Sequence, residues 1–100
     1  MEKIDLDAYQ EPTVEIVFAG ESKTVKLGDL NRKIRPLLAA MEKAAKADDP
    51  QAEYAAWDGV KEAFGFPGMS DGQAKEAVDR LTAFTAEQFA RKNGSGQPQS

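Results

Sequence analysis

Apolar and polar residues alternate in two short segments near the start of the chain. These are "TVEIVFA", residues 13–19, and "KTVKL", residues 23–27. In the first segment, Val14, Ile16 and Phe18 share one face, as in a strand with one buried side. The intervening "GES" contains glycine and suits a turn, so the pattern predicts an antiparallel β-hairpin. A lone hairpin is marginally stable in water, so helices must cover its apolar face.

The apolar spacing changes to three and four residues after the hairpin. The stripe comprises Leu30, Ile34, Leu37, Leu38, Met41 and Ala45. It predicts an amphipathic helix over about 29–47, with Asp29 as its N-cap. Pro36 conflicts with this pattern, because it lacks an N–H and its ring clashes with the carbonyl of residue 32. We therefore predict a break near Pro36, with a short turn before it and a longer helix that begins at it.

A second helix has clear start and stop signals. Asp49 can cap its N-terminus, and Pro50 occupies the first helical position, where a missing N–H costs nothing. Gly65 suits a left-handed C-terminal residue. These signals predict a helix over about 50–64.

Two capping boxes lie fifteen residues apart in the C-terminal third. Ser70 and Thr85 are each followed three residues later by Gln. Such a pair satisfies two free N–H groups at a helix start. Two starts predict two short helices, over about 71–82 and 86–93.

The elements together predict an α+β fold, in which an N-terminal antiparallel β-hairpin packs against three to four helices. We expect residues 1–12 to be a flexible lead-in and residues 13–93 to form a single domain. Residues 94–100, "GSGQPQS", are expected to be a disordered tail.

Composition narrows the chemistry. The 100 residues include no cysteine and no histidine, which removes disulfides, thiolate nucleophiles, the usual zinc ligands and the commonest general base. No carboxylates have the spacing of a calcium-binding loop. We therefore expect no catalytic residues, no metal and no cofactor. The chain lacks a long apolar run, and its acidic start "MEKIDLDAYQ" does not resemble a signal peptide, so we expect a cytoplasmic protein without a membrane segment.

One cluster of cations stands out in an otherwise acidic chain. It comprises Lys23, Lys26, Arg32, Lys33 and Arg35, with a local charge of +4 once Asp29 is subtracted. A nucleic-acid interface would place these side chains along a phosphate path. However, no aromatic residue interleaves with them, and the net charge of the chain is −4. We favour a solvated face or a protein partner over nucleic acid.

Two sets of apolar residues are candidates for partner binding. They are Leu30, Ile34, Leu37 and Met41 on the helical stripe, and Phe66 and Met69 in the connection "GFPGM". The alternative is that they belong to the core, which is the commoner role of such residues.

The order of these signals resembles the small tail assembly chaperones of long-tailed phages and prophages. The resemblance covers about residues 13–93 in layout and is most specific in "LGDLNRKIRPLL" and "TAEQFA". It implies a non-enzymatic assembly factor in the cytoplasm of a bacterial host cell. Such a factor binds the tape measure protein, and also the tail tube protein in some versions, during tail assembly, and it self-associates.

Two other functions remain open from the sequence. One is a structural or connector protein of the phage particle. No residue pattern in this sequence distinguishes such a protein from a chaperone. The other is a small regulator whose basic cluster faces nucleic acid.

Overall fold

The computed structural model describes residues 2–7 and 9–95. Its elements are β1 (Thr13–Phe18), β2 (Glu21–Lys26), α1 (Leu27–Lys46), α2 (Pro50–Phe64) and α3 (Asp71–Ser95). The predicted α+β fold, a hairpin packed against helices, is confirmed.

The hairpin is tighter than the sequence suggested. β1 and β2 pair antiparallel from Thr13 opposite Lys26 to Phe18 opposite Glu21. Only Ala19 and Gly20 remain in the turn, with φ of 53° and 82°. Positive φ at both positions matches the twist of the flanking strands. For this reason β2 begins two residues earlier than predicted.

Helix α1 follows β2 without a linker. The N–H of Leu27 donates to the carbonyl of Pro12 (2.9 Å), and the N-cap residue, Lys26, makes no side-chain capping bond. The prediction of Asp29 as the N-cap is therefore wrong, because Asp29 lies in the first turn of α1. Its carboxylate still interacts favourably with the positive end of the helix.

The predicted break near Pro36 is wrong, because α1 is continuous from Leu27 to Lys46. Pro36 is exposed, and so is Arg32, whose carbonyl would have accepted the missing hydrogen bond. Helices curve with their convex side toward solvent, where carbonyls tilt out to water. The solvent face is therefore where a missing backbone bond is most easily tolerated.

The predicted caps of α2 are confirmed. The Asp49 side chain accepts a hydrogen bond from the N–H of Ala52 (3.2 Å), and Gly65 has φ of 91°. The ammonium group of Lys23 donates to the Gly65 carbonyl and lies 4.5 Å from the centre of the Phe66 ring. This places a cation at the negative end of α2.

The C-terminal third forms one helix, so the prediction of two helices over 71–82 and 86–93 is wrong. The first capping box exists, since the side chains of Ser70 and Gln73 each accept from the other's N–H (3.1 and 2.8 Å). At the second, the Thr85 hydroxyl donates to the Leu81 carbonyl (2.7 Å) and accepts from Asn31 (3.1 Å). Thr85 therefore joins α3 to α1 and caps nothing.

Residues 94 and 95, which we predicted to belong to the disordered tail, are the last two residues of α3. Residues 96–100, the rest of that predicted tail, lie outside the described residues.

The core lies where the three helices meet. Its buried members are Leu27, Leu30, Ile34, Val60, Phe64, Phe66, Met69, Ala74, Val78 and Leu81. The inner face of the hairpin packs against this core but is only half-buried. Between α2 and α3, the ammonium group of Lys61 lies 2.7 Å from a carboxylate oxygen of Asp71.

Candidate functional site: an apolar groove between the first strand and the third helix

A groove of about 400 Å³ runs between β1 and α3. Val14, Ile16 and Phe18 of β1 form one wall. The helices and the connection before α3 supply Phe64, Met69, Ala77, Leu81 and Phe84. The lining is therefore largely apolar, and Val14, Ile16 and Phe18 are half-buried.

The groove follows an unpaired edge of the sheet. β1 pairs with β2 on one side, and no other strand pairs with it in residues 2–7 and 9–95. Glu15 and Val17, which point away from the core, also line the groove, and Val17 is 66% exposed. A free strand edge offers backbone N–H and C=O groups to a second chain. An adjacent apolar wall can bind the side chains of that chain.

The charged side chains at the rim are already engaged with neighbours. Arg80 lies 2.7 Å from the carboxylate of Glu76, and Glu15 accepts a hydrogen bond from the hydroxyl of Ser22. Arg80 and Glu76 compensate each other, whereas Glu15 keeps its negative charge. The groove therefore offers apolar contact and backbone hydrogen bonds beside one uncompensated carboxylate. Such a surface can bind a protein segment. Its lining residues do not include a nucleophilic side chain placed beside a general base, the arrangement that covalent catalysis needs.

The structure places most of the predicted partner-binding residues inside the fold. Leu30, Ile34, Phe66 and Met69 are buried, and Leu37 and Met41 are half-buried. Of these six residues, only Met69 lines the groove. In the folded chain, the apolar stripe on α1 faces the core and is not a free partner-binding surface.

Sequence reasoning missed the groove residues on β1 and α3. The alternation of Val14, Ile16 and Phe18 was the available signal, since it marked a face that needed covering. Nothing in the sequence indicated that α3 covers this face incompletely.

The basic cluster lies elsewhere on the molecule and is divided. Lys23 contacts Gly65 and Phe66, as described above, whereas Lys26, Arg32, Lys33 and Arg35 are exposed. Lys26 and Lys33 line one depression of about 320 Å³ between β2 and α1. The remaining lining residues are Thr24, Val25, Asp29, Leu30 and Ala63.

A third cavity, of about 490 Å³, lies between the N-terminal segment and the ends of α1 and α3. It is lined by Tyr9, Gln10, Glu11, Pro12, Leu27, Gly28, Asn31, Thr85, Gln88 and Phe89. Phe89 is 62% exposed. This cavity has no catalytic or metal-binding constellation.

Within the described residues, no three His, Cys, Asp or Glu side chains are placed to hold a metal ion. No helix in the same part of the chain is both long and apolar enough to cross a membrane. Comparison with protein-family models, with curated proteins and with solved structures found no match for this chain.

Proposed function

We propose that this chain is a non-enzymatic tail assembly chaperone of a phage or prophage that binds the tape measure protein. The observation that carries the proposal is the apolar groove between β1 and α3, beside an unpaired strand edge. The resemblance in "LGDLNRKIRPLL" and "TAEQFA" supplies the identity of the partner. The groove itself supports only the binding of an apolar protein segment.

The groove suits a client with apolar side chains at regular intervals. A tape measure segment, long and amphipathic, would place a few such side chains against Ile16, Leu81 and Phe84. Burying one Leu or Ile side chain is worth about 1.5–3 kcal/mol, of which association consumes a large part. Binding to one copy is therefore weak, and many copies along one client supply the overall affinity.

The experiment is co-expression with the tape measure protein of the same phage or prophage, followed by affinity capture. We expect the wild type to raise the amount of tape measure protein in the clarified lysate and to be captured with it. Ala77→Arg, which inserts a long charged side chain into the groove, and Phe84→Ser should abolish both effects. Tyr54→Ser is the matched control, since Tyr54 is 58% exposed on α2 and does not line the groove.

The proposal fails if the wild type neither protects nor captures the tape measure protein. Binding that survives Ala77→Arg would move the interface away from the groove. A chaperone should also be missing from purified phage particles, whereas a connector protein should be present in them.

A further inference from the structure

The first described residues form a short arm that leaves its apolar side chains uncovered. Ile4 and Leu6 are 77% and 74% exposed. They alternate with carboxylates, and the side chain of Asp5 accepts a hydrogen bond from the N–H of Asp7 (3.0 Å). Three carboxylates and one lysine give residues 2–7 a net charge of −2. We call these six residues the acidic arm.

The basic cluster has the opposite character. Lys46, Lys61, Lys75 and Arg80 each lie within 4 Å of a carboxylate. Among the same described side chains, Lys26, Arg32, Lys33 and Arg35 have no such partner. Four unpaired cations therefore lie at the end of β2 and in the first half of α1, in a chain whose net charge is −4.

We propose that the acidic arm of one copy docks on the basic cluster of a second copy. Asp5 and Asp7 would face Lys26 and Lys33, and the apolar side chains of the arm would enter the depression that these lysines border. Val25, Leu30 and Ala63 line the depression together with the two lysines, so it can accept both the carboxylates and the apolar side chains of the arm. This interface is separate from the groove and does not depend on the proposed function.

The position of the arm favours a closed pair. Five residues after the arm, the Pro12 carbonyl accepts from the N–H of Leu27, which directly follows Lys26. The chain that follows the arm therefore passes beside Lys26 on each copy. A two-fold axis that carries one arm to the partner's cluster also brings the partner's arm back, so the contact is reciprocal.

Two alternatives are less consistent with these observations. Within one chain, no ion pair joins the arm to the cluster, and both apolar side chains of the arm remain exposed. A nucleic acid would carry many more negative charges than the arm toward a chain that is itself acidic. A second copy satisfies the arm and the cluster at once.

The test is the mass of the purified full chain by size-exclusion chromatography with light scattering. At an ionic strength of about 0.1 M we expect about twice the chain mass of 10.9 kDa. The pair should dissociate toward the monomer near 1 M salt, where the screening length falls to about 3 Å. Asp5→Lys with Asp7→Lys, or Lys26→Glu with Lys33→Glu, should weaken association about tenfold or more.

The decisive variant combines both double reversals, which restores opposite charges across the contact and should restore the dimer. Ile4→Ser with Leu6→Ser should also weaken association. The matched control is Lys43→Glu, an exposed and unpaired lysine in the last turn of α1, which should leave the mass unchanged. A wild type that stays monomeric at low salt overturns the proposal. A dimer that persists in both double-reversal variants also overturns it. So does a wild type that stays monomeric but binds duplex DNA, if Lys26→Glu with Lys33→Glu abolishes the DNA binding.

Discussion

Pro36→Ala tests how α1 accommodates a proline in its interior. Pro36 is the tenth residue of this 20-residue helix. It supplies no N–H to the carbonyl of Arg32, and its ring presses against that carbonyl. Alanine restores the donor and removes the clash without touching the core, because Pro36 is exposed. We therefore expect the substitution to raise the free energy of unfolding.

The magnitude follows from three terms. Alanine is about 3 kcal/mol more favourable than proline inside a helix. Part of this difference is already offset in the wild type, because Arg32 and Pro36 both lie on the exposed side of α1, where water can replace the missing hydrogen bond. Losing proline also frees the unfolded chain, which costs about 0.4–1 kcal/mol. The net expectation is a gain of about 1–2 kcal/mol, or roughly 4–16 °C in Tm for a domain of this size.

The assay is urea denaturation followed by far-ultraviolet circular dichroism, with the midpoint and slope fitted for each variant. Arg35→Ala is the control, since Arg35 is an exposed neighbour and its replacement should change stability by less than about 0.5 kcal/mol. If Pro36→Ala is neutral or destabilising, the reasoning is refuted. Such a result would mean that α1 needs a bend at Pro36 that a regular helix cannot supply.

Two further predictions concern helix ends and use the same denaturation assay. Ser70→Ala should lower the free energy of unfolding by about 1 kcal/mol, because it removes the N-terminal cap of α3. Gln88→Ala should change it by less than about 0.5 kcal/mol, because Gln88 lies inside α3 and not at a helix start. Equal effects of the two substitutions would contradict the single helix α3. Gly65→Ala should cost about 1–2 kcal/mol, since φ is 91° there and a Cβ would lie 3.0 Å from the Lys23 side chain; an unchanged midpoint would contradict this.

The sequence alone determined the features that depend on residues close together in the chain. The hairpin followed from the alternation of Val14, Ile16 and Phe18. The start of α2 followed from Asp49 and Pro50, and its end from Gly65. Capping bonds span about three residues, and strand alternation is a property of the strand itself. Such signals can be interpreted without knowing which helices and strands pack against each other.

Local signals failed where a tertiary contact competed with them. Thr85 and Gln88 have the spacing of a capping box, but Asn31 donates to Thr85 and α3 continues through it. Pro36 has the chemistry of a helix start, yet α1 is continuous through it. Ile34 before it lies in the core, and Leu37 and Met41 after it pack against that core. Burial of a helix face outweighs one missing backbone bond on the solvent side.

The candidate site was decided by the tertiary structure. For Phe66 and Met69 the sequence left both a partner-binding role and a core role open, and both residues are buried where the helices meet. The groove exists because α3 covers the inner face of β1 only in part, leaving Val14, Ile16 and Phe18 half-buried. How closely a helix approaches a strand depends on how all three helices pack together. The sequence could therefore identify the apolar face of β1, while the space beside it was set by packing between elements distant in the chain.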